Sequence, residues 1–409
     1  IIRGLLMIGP PGCGKTFLAK AIATEANMPF VSTSGSELTD VYVGVGASKV
    51  RHMFAQARLL AKYHGACLLF IDEIDSIGKK RSFGHNSDQE TNKTLNQLLV
   101  EMDGMAKVRD NITVIAATNA PEIVLDPALL RAGRFDRKLY YDLPTRLERE
   151  QLFAHFLSKK HYDQKSIHLP FWAGVTQMRS PAEIENIVEE AEIISLRNGQ
   201  PFITVQDLSE ALERIELGLR RRRKVADAER LSTAYHEAGH LVAIHYLSSA
   251  QTFFKISIAF RKETLGVVHT FAKEDQYFRN QDEYFGQIQG LLAGYVAEKI
   301  KFNRTTRGVA SDFKHAMLLA HSMVFRHGMG KSGHLGDYTG QVGHQLSEQI
   351  KRELNDDMEA ILRQAFKTTQ KLLQQKWELV EWIVHDLLEK EELELIDIKE
   401  IIEQYEQHR

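Results

Sequence analysis

Through residues 1–143, short continuous apolar runs alternate with longer stretches whose apolar residues recur every three or four positions. Leu5–Ile8, Leu68–Ile71 and Ile112–Ala116 are such runs, the pattern of strands covered on both faces. Lys15–Asn27 and Ser48–Lys62 lie between them with helical spacing. Strand and helix in alternation predict an α/β domain, a parallel sheet with helices on both sides. From Pro144 the strand signals fade. Leu152, Phe153, Phe156 and Leu157, then Ile184, Ile187, Val188 and Ala191, keep a helical period, so 144–219 reads as a small helical domain. Residues 225–409 are expected to be mainly helical, with a strand or hairpin around Phe253–Phe271. Ile350, Leu354, Met358, Ile361 and Ala365 form one apolar stripe there, and Trp377, Val380, Ile383, Val384 and Leu387 another. Both read as core faces.

Composition narrows the class without naming a function. The chain has 409 residues, 43% apolar and 26% charged, which excludes wholesale disorder and allows several domains with cores of their own. Lys plus Arg number 52 against 54 Asp plus Glu, so no basic excess calls for a nucleic-acid partner. The run Arg220-Arg221-Arg222-Arg223-Lys224 is then best read as a solvated linker between the second and third segments. Two cysteines cannot staple a chain of this length, so a reducing compartment is expected. No stretch has the 18 or so consecutive apolar residues of a membrane span. The chain opens at Ile1 already within a strand pattern, so an upstream segment is expected.

Gly9-Pro10-Pro11-Gly12-Cys13-Gly14-Lys15-Thr16 fits G-x-x-x-x-G-K-[ST] between a strand and a helix, the context that a phosphate-binding loop requires. Its glycines let backbone N–H groups turn toward the phosphates of ATP, with the helix N-terminus adding positive charge. Lys15 would reach the β- and γ-phosphates and Thr16 would ligate Mg²⁺. Asp72 and Glu73 emerge where the apolar run Leu68–Ile71 ends, the edge at which such sheets bind ligands. Asp72 would hold Mg²⁺ through water and Glu73 would polarise the attacking water, which makes the reaction hydrolysis. Asn119 follows the third run and could touch that water or the γ-phosphate. Arg131 and Arg134, three apart, suit bidentate contact with phosphates, those of a neighbouring copy included.

His236-Glu237-Ala238-Gly239-His240 is H-E-x-x-H within a helical pattern over Leu231–Leu247. Histidines four apart share one helix face and can point at one Zn²⁺. Glu237 beside them is placed to take a proton from the attacking water and pass it to a leaving amine. A catalytic zinc takes a third protein ligand. Spacing alone leaves Glu298, Asp312, His315 and His321 as candidates.

In their order and wording these motifs resemble the FtsH family of membrane-anchored AAA proteases over essentially the whole chain. The resemblance implies that Arg131 and Arg134 belong to an arginine-finger segment. It also implies that Thr305-Thr306-Arg307-Gly308-Val309-Ala310-Ser311-Asp312, with one residue shifted, leads to the third ligand, Asp312. Glu298 then falls at an acidic position outside the ligand set. Tyr42-Val43-Gly44 looks like the family's pore loop, which grips an extended substrate. Three departures stand out: Ser180-Pro181-Ala182-Glu183-Ile184 where Ser-Gly-Ala-Asp-Leu is usual, Cys13 where Thr is usual, and Arg307 beside the ligand segment.

The expectation is therefore a P-loop AAA domain (1–143), a helical lid (144–219) and a mainly α-helical zinc metalloprotease domain (225–409). It would act as an ATP-dependent zinc endopeptidase using Zn²⁺, ATP and Mg²⁺, in a homo-hexamer or a hetero-hexamer with paralogues, on protein substrates and not on nucleic acid. The resemblance implies a missing N-terminal membrane anchor. It suggests the bacterial plasma membrane with the catalytic domains in the cytoplasm, or else a mitochondrial inner or chloroplast membrane. The rival reading is an ATP-driven unfoldase or assembly chaperone whose zinc site is idle or structural.

Overall fold

Alternate residues of the apolar runs face opposite sides of a five-stranded sheet. Leu6, Ile8, Leu69, Ile71, Val114 and Ala116 join one buried cluster, while Met7, Leu68, Phe70, Ile115 and Ala117 join another. The period of two in a strand produces this division, and both faces are apolar because helices cover both. The computed structural model describes residues 3–39, 44–79, 86–108, 111–220, 226–261, 266–274, 278–340 and 346–408. Within these, the chain separates into two units, 1–145 with 178–186, and 146–177 with 187–409.

The first unit runs β1 (Gly4–Ile8), α1 (Lys15–Glu25), β2 (Phe30–Ser34), α2 (Gly35–Leu38), α3 (Val45–His64), β3 (Cys67–Asp72), α4 (Asp75–Gly78), α5 (Asn86–Val108), β4 (Ile112–Thr118) and β5 (Arg137–Tyr140). Its strands lie in the order β2-β3-β4-β1-β5, all neighbours parallel. The carboxyl ends of β1, β3 and β4 therefore sit side by side, where α/β sheets carry ligands. Strands β2 and β5 lie outside the three apolar runs. β2 alternates Phe30, Ser32 and Ser34 with Val31 and Thr33, and β5 is an exposed edge strand with two basic residues.

The second unit contains α6 (Arg146–Leu157), α7 (Leu169–Val175), most of α8 (Pro181–Arg197) and α9 (Val205–Leu217). It continues with α10 (Asp227–Leu247), β6 (Gln251–Ser257), β7 (Val267–Ala272), α11 (Gln281–Phe302), α12 (Ala310–His321), α13 (Glu348–Gln375), α14 (Trp377–Lys390), β8 (Glu392–Glu394) and α15 (Leu395–Gln407). β6 and β7 form the expected antiparallel pair, and β8 adds to the other edge of β6. Leu354 and Ala365 of one apolar stripe, and Val380, Ile383, Val384 and Leu387 of the other, are buried.

Close approach of α10 and α11 rests on glycine. A Cβ on Gly239 would lie 2.7 Å from the Ala293 carbonyl oxygen and 2.7 Å from the Ala297 Cβ. Near α9, a set of charges is buried. Glu213 is fully covered, and its carboxylate meets Lys255 at 3.0 Å and His269 at 3.3 Å and pairs with Arg261 as well. Burial pushes the Glu213 carboxyl up, but His269, Lys255 and Arg261 outweigh it and bring it down to about 2. Among the described residues, no helix is long and apolar enough to cross a membrane.

Candidate nucleotide and metal sites

The loop after β1 turns through left-handed backbone at Gly12 (φ 74°) and Gly14 (φ 83°), which other residues rarely adopt. Lys15 opens α1, and its buried ammonium donates to the carbonyls of Gly9 (2.8 Å) and Pro10 (2.7 Å) and to Asn119 Oδ1 (2.7 Å). Burial lowers the pKa of this amine. Thr16 donates to Asp72 Oδ2 at 2.8 Å, so the hydroxyl and the carboxylate expected to share Mg²⁺ already face one another. Gly9 to Thr16, Asp72, Glu73 and Asn119 are thus brought to one edge of the sheet from three strands.

Glu73 sits at φ 50°, a conformation that costs a non-glycine residue of order 1 kcal/mol or more and is characteristic of functional sites. Its Oε2 accepts from Ser34 Oγ at 3.3 Å. The pattern of the sequence had no signal for Ser34, because the contact depends on β2 pairing with β3. Ala182 donates its N–H to the Gly12 carbonyl at 3.2 Å, and Ser180 Oγ lies where a Cβ on Gly12 would come within 2.8 Å. The divergent 180–184 segment therefore rests on the phosphate loop. Arg134 is held in its own domain, bidentate to Asp103 (2.9 and 2.8 Å) and bonded to the Ala128 carbonyl (2.6 Å), whereas Arg131 is exposed. Tyr42 and Val43 lie outside the described residues. Gly44 next to them donates its N–H to Glu90 Oε2 at 2.9 Å.

In the second unit, α10 presents His236 and His240 on one face, and Asp312 reaches them from the first turn of α12. His240 Nε2 is 3.0 Å from His236 Nε2, and Asp312 Oδ2 is 3.1 Å from His236 Nε2 and 3.4 Å from His240 Nε2. Each histidine donates its other nitrogen: His236 Nδ1–H to Glu298 Oε1 at 2.8 Å, His240 Nδ1–H to the Gly290 carbonyl at 2.7 Å. These partners fix the tautomers, so the two Nε2 lone pairs and a carboxylate oxygen converge on one point. Three acceptors that meet in this way favour a cation, a metal ion or a proton, between them. Tetrahedral zinc with ligands at about 2.0–2.1 Å puts its donors about 3.3–3.4 Å apart, so the set fits Zn²⁺.

Among the described residues this is the group that could hold a metal. His315 is exposed on α12 and His321 stacks on Phe325 at 4.1 Å, so neither joins it. Glu298 stands behind His236, and its two oxygens also accept from the Thr306 hydroxyl (3.0 Å) and N–H (2.6 Å). Burial alone would lower the pKa of His236, but the hydrogen bonds to Asp312 and Glu298 outweigh it and raise it, so the two carboxylates favour a cation at the ring nitrogens, whether a metal ion or a proton. Burial pushes the Asp312 carboxyl up, but its contacts with His236 and His240 outweigh it and keep it below its ordinary range. The electrostatics favour positive charge at this point. Glu237 is buried beside it, and burial pushes its carboxyl up, toward a proton acceptor of useful strength.

A profile described as "ATPase family associated with various cellular activities (AAA)" matches residues 5–143, and one described as "Peptidase family M41" matches residues 223–401. The sequence is 38% identical over 407 residues to "ATP-dependent zinc metalloprotease FtsH 2" of Alkaliphilus metalliredigens, covering 96% of this chain and 58% of that protein. It is 38% identical to the FtsH of Bacillus subtilis (98% of this chain, 64% of that one) and 38% to that of Thermus thermophilus (98% and 65%). The chain belongs to the FtsH family. It spans about three fifths of the length of these curated relatives.

FtsH membership agrees with the α/β domain followed by a mostly helical one. Two residues of the site carry no chemistry that a motif could flag. Gly294 lies under the His236 ring, and Gly266 lies against Glu237 Oε1, where a Cβ would come within 2.6 Å. Both were hidden because their role is to have no side chain.

Proposed function

We propose that this chain is the catalytic portion of an ATP-dependent zinc endopeptidase. The observation that carries the reading is the meeting of His236 Nε2, His240 Nε2 and Asp312 Oδ2 beside the buried Glu237. The phosphate loop, Asp72, Glu73 and Asn119 in the same chain supply the ATP and Mg²⁺ site.

His236, His240 and Asp312 would hold Zn²⁺, with Glu298 and Gly290 orienting the two rings. Bound there, zinc acts as a Lewis acid toward the peptide carbonyl and the attacking water. Glu237 takes the proton of that water and returns it to the departing amine. Lys15 bears on the β- and γ-phosphates, Thr16 and Asp72 hold Mg²⁺, and Glu73 orients water for hydrolysis. Arg131 would serve the nucleotide of a neighbouring subunit in a ring, a hexamer in this reading. Tyr42, Val43 and Gly44 would grip unfolded or membrane-extracted polypeptide and draw it to the zinc. The division into AAA domain, lid and protease domain at 143/144 and 219/225 belongs to this reading. So does anchoring in a bacterial plasma membrane by a further segment.

The test is Glu237→Gln. Degradation of an unfolded protein such as casein should fall by at least about 10² while ATP hydrolysis continues, and wild-type degradation should stop when a chelator removes zinc. Proteolysis that survives the substitution would instead support the unfoldase reading with an idle metal site.

A further inference from the structure

His236 is flanked in α10 by Tyr235, whose side chain leaves the helix about 100° away and faces a different neighbour. Tyr235 is 2% exposed. Its ring stacks on Trp377 of α14 (centroids 5.8 Å, planes 10°) and meets Phe302 edge-on at 5.5 Å. Its hydroxyl donates to Glu381 Oε2 at 2.6 Å. The other oxygen of Glu381 accepts from Trp377 Nε1 at 2.9 Å and from Lys301 Nζ at 2.9 Å. Lys301 also lies 4.6 Å over the Tyr235 ring. One carboxylate on α14 thus ties α10 to the end of α11.

The tied positions are the ones that matter for the metal ligand. Tyr235 is adjacent to His236, and Lys301 is three residues, just under one turn, beyond Glu298. The 2.8 Å hydrogen bond from His236 to Glu298 exists only while α10 and α11 keep their separation and rotation at this level. A helix held by one side chain can still roll about its axis. Gly239 and the His240 bond to the Gly290 carbonyl already hold α10 against α11 one turn further on, and the Tyr235 clamp adds a second face at the level of His236 itself.

We propose that Glu381 is a positioning residue of the metal site, setting the orientation of His236 through Tyr235 and Lys301. The inference rests on the zinc reading above. Glu381 would never touch metal or substrate. Its effect passes through the helix pair, as outer-shell carboxylates act through the ligands they orient. Charge assistance from Lys301 makes this clamp stronger than a neutral hydrogen bond.

The experiment compares wild type, Glu381→Ala and Lys301→Met in the whole chain. It measures the rate at which a chromogenic chelator strips zinc, kcat and KM for a short fluorogenic peptide, and Tm. Glu381→Ala should lose zinc about tenfold faster and lose kcat by about as much, with KM within about twofold and ATP hydrolysis unchanged. Lys301→Met, which keeps the stem and removes only the cation, should shift both in the same direction by less. A merely structural clamp would lower Tm and leave zinc release and kcat at wild-type values, and that result overturns the proposal. Should Glu381→Ala not fold, wild-type zinc release in Lys301→Met overturns it equally. A wild-type protein that takes up no zinc defeats the zinc reading, and this inference with it.

Discussion

The imidazole of His236 lies directly on Gly294, so closely that a Cβ there would be 2.6 Å from Nε2 and 2.5 Å from Cε1. Alanine in a helix interior usually improves on glycine by roughly 0.5–1 kcal/mol. Gly294→Ala should do the opposite for function, because His236 can yield only by leaving the point where the three donors meet. Zinc content and peptide cleavage should both fall by at least about tenfold. Gly290→Ala, whose Cβ would meet only Ile244 Cγ1 at 3.3 Å, should be milder. Full zinc occupancy in Gly294→Ala would refute the account.

Gly266 bears on the base rather than on the ligands. A Cβ there would be 2.6 Å from Glu237 Oε1 and 2.8 Å from its Cγ. Gly266→Ala should therefore keep its zinc and lose kcat, by about 10² if the carboxylate moves about 1 Å. Metal analysis beside peptide kinetics separates it from Gly294→Ala. Parallel loss of zinc would place Gly266 with the ligands instead.

What the sequence revealed and what it hid divide along a physical line. Lys15, Thr16, Asp72, His236 and His240 were legible because their chemistry demands fixed spacing along one loop, one strand end or one helix face. The same is true of the sheet, whose buried strands are unbroken apolar runs. β5 was not legible, since an exposed edge strand needs no apolar pattern. Asp312 lies 72 residues (312 − 240) beyond the second histidine, and spacing left it level with Glu298, His315 and His321 until the family resemblance and then the geometry separated them. Ser34, Gly266, Gly294 and Glu381 act across elements, and a one-dimensional pattern does not register contacts made only by folding.

The two arginines should separate by experiment. Arg134 is bidentate to Asp103 and bonded to the Ala128 carbonyl, while Arg131 is exposed. Arg134→Ala should lower Tm as well as ATP hydrolysis, the stability loss being about 1 kcal/mol for a partly exposed pair with one added backbone bond. Arg131→Ala should leave Tm alone and reduce ATP hydrolysis by about 10³ if it completes a neighbour's site. Mixing Arg131→Ala with a Lys15→Met chain should then restore some hydrolysis, because each supplies what the other lacks. No recovery on mixing would argue against service in trans.

Glu213 is the anchor of the buried charges around α9, β6 and β7. Its folded value of about 2 lies below the ordinary 4.5, so its ionised form is the one that folding favours. The stability it contributes is whole above pH ~4.5 and drains away as pH falls toward ~2. Glu394, in the same network, has its carboxyl pushed up by burial and acts in the opposite sense, so the useful comparison is between wild type and Glu213→Gln. The amide leaves Lys255 and Arg261, 2% exposed each, short of a negative partner. Leaving a buried charge with no partner costs about 3–5 kcal/mol, and because Lys255 keeps Glu392 and Glu394 and Arg261 keeps Glu210, that is the upper bound here. Glu213→Gln should therefore unfold well below wild type at pH 7, and the gap should narrow as the medium is acidified toward pH ~2.5. Thermal unfolding across that range reads both effects. A gap that stays constant with pH would mean that Glu213 contributes packing and not charge.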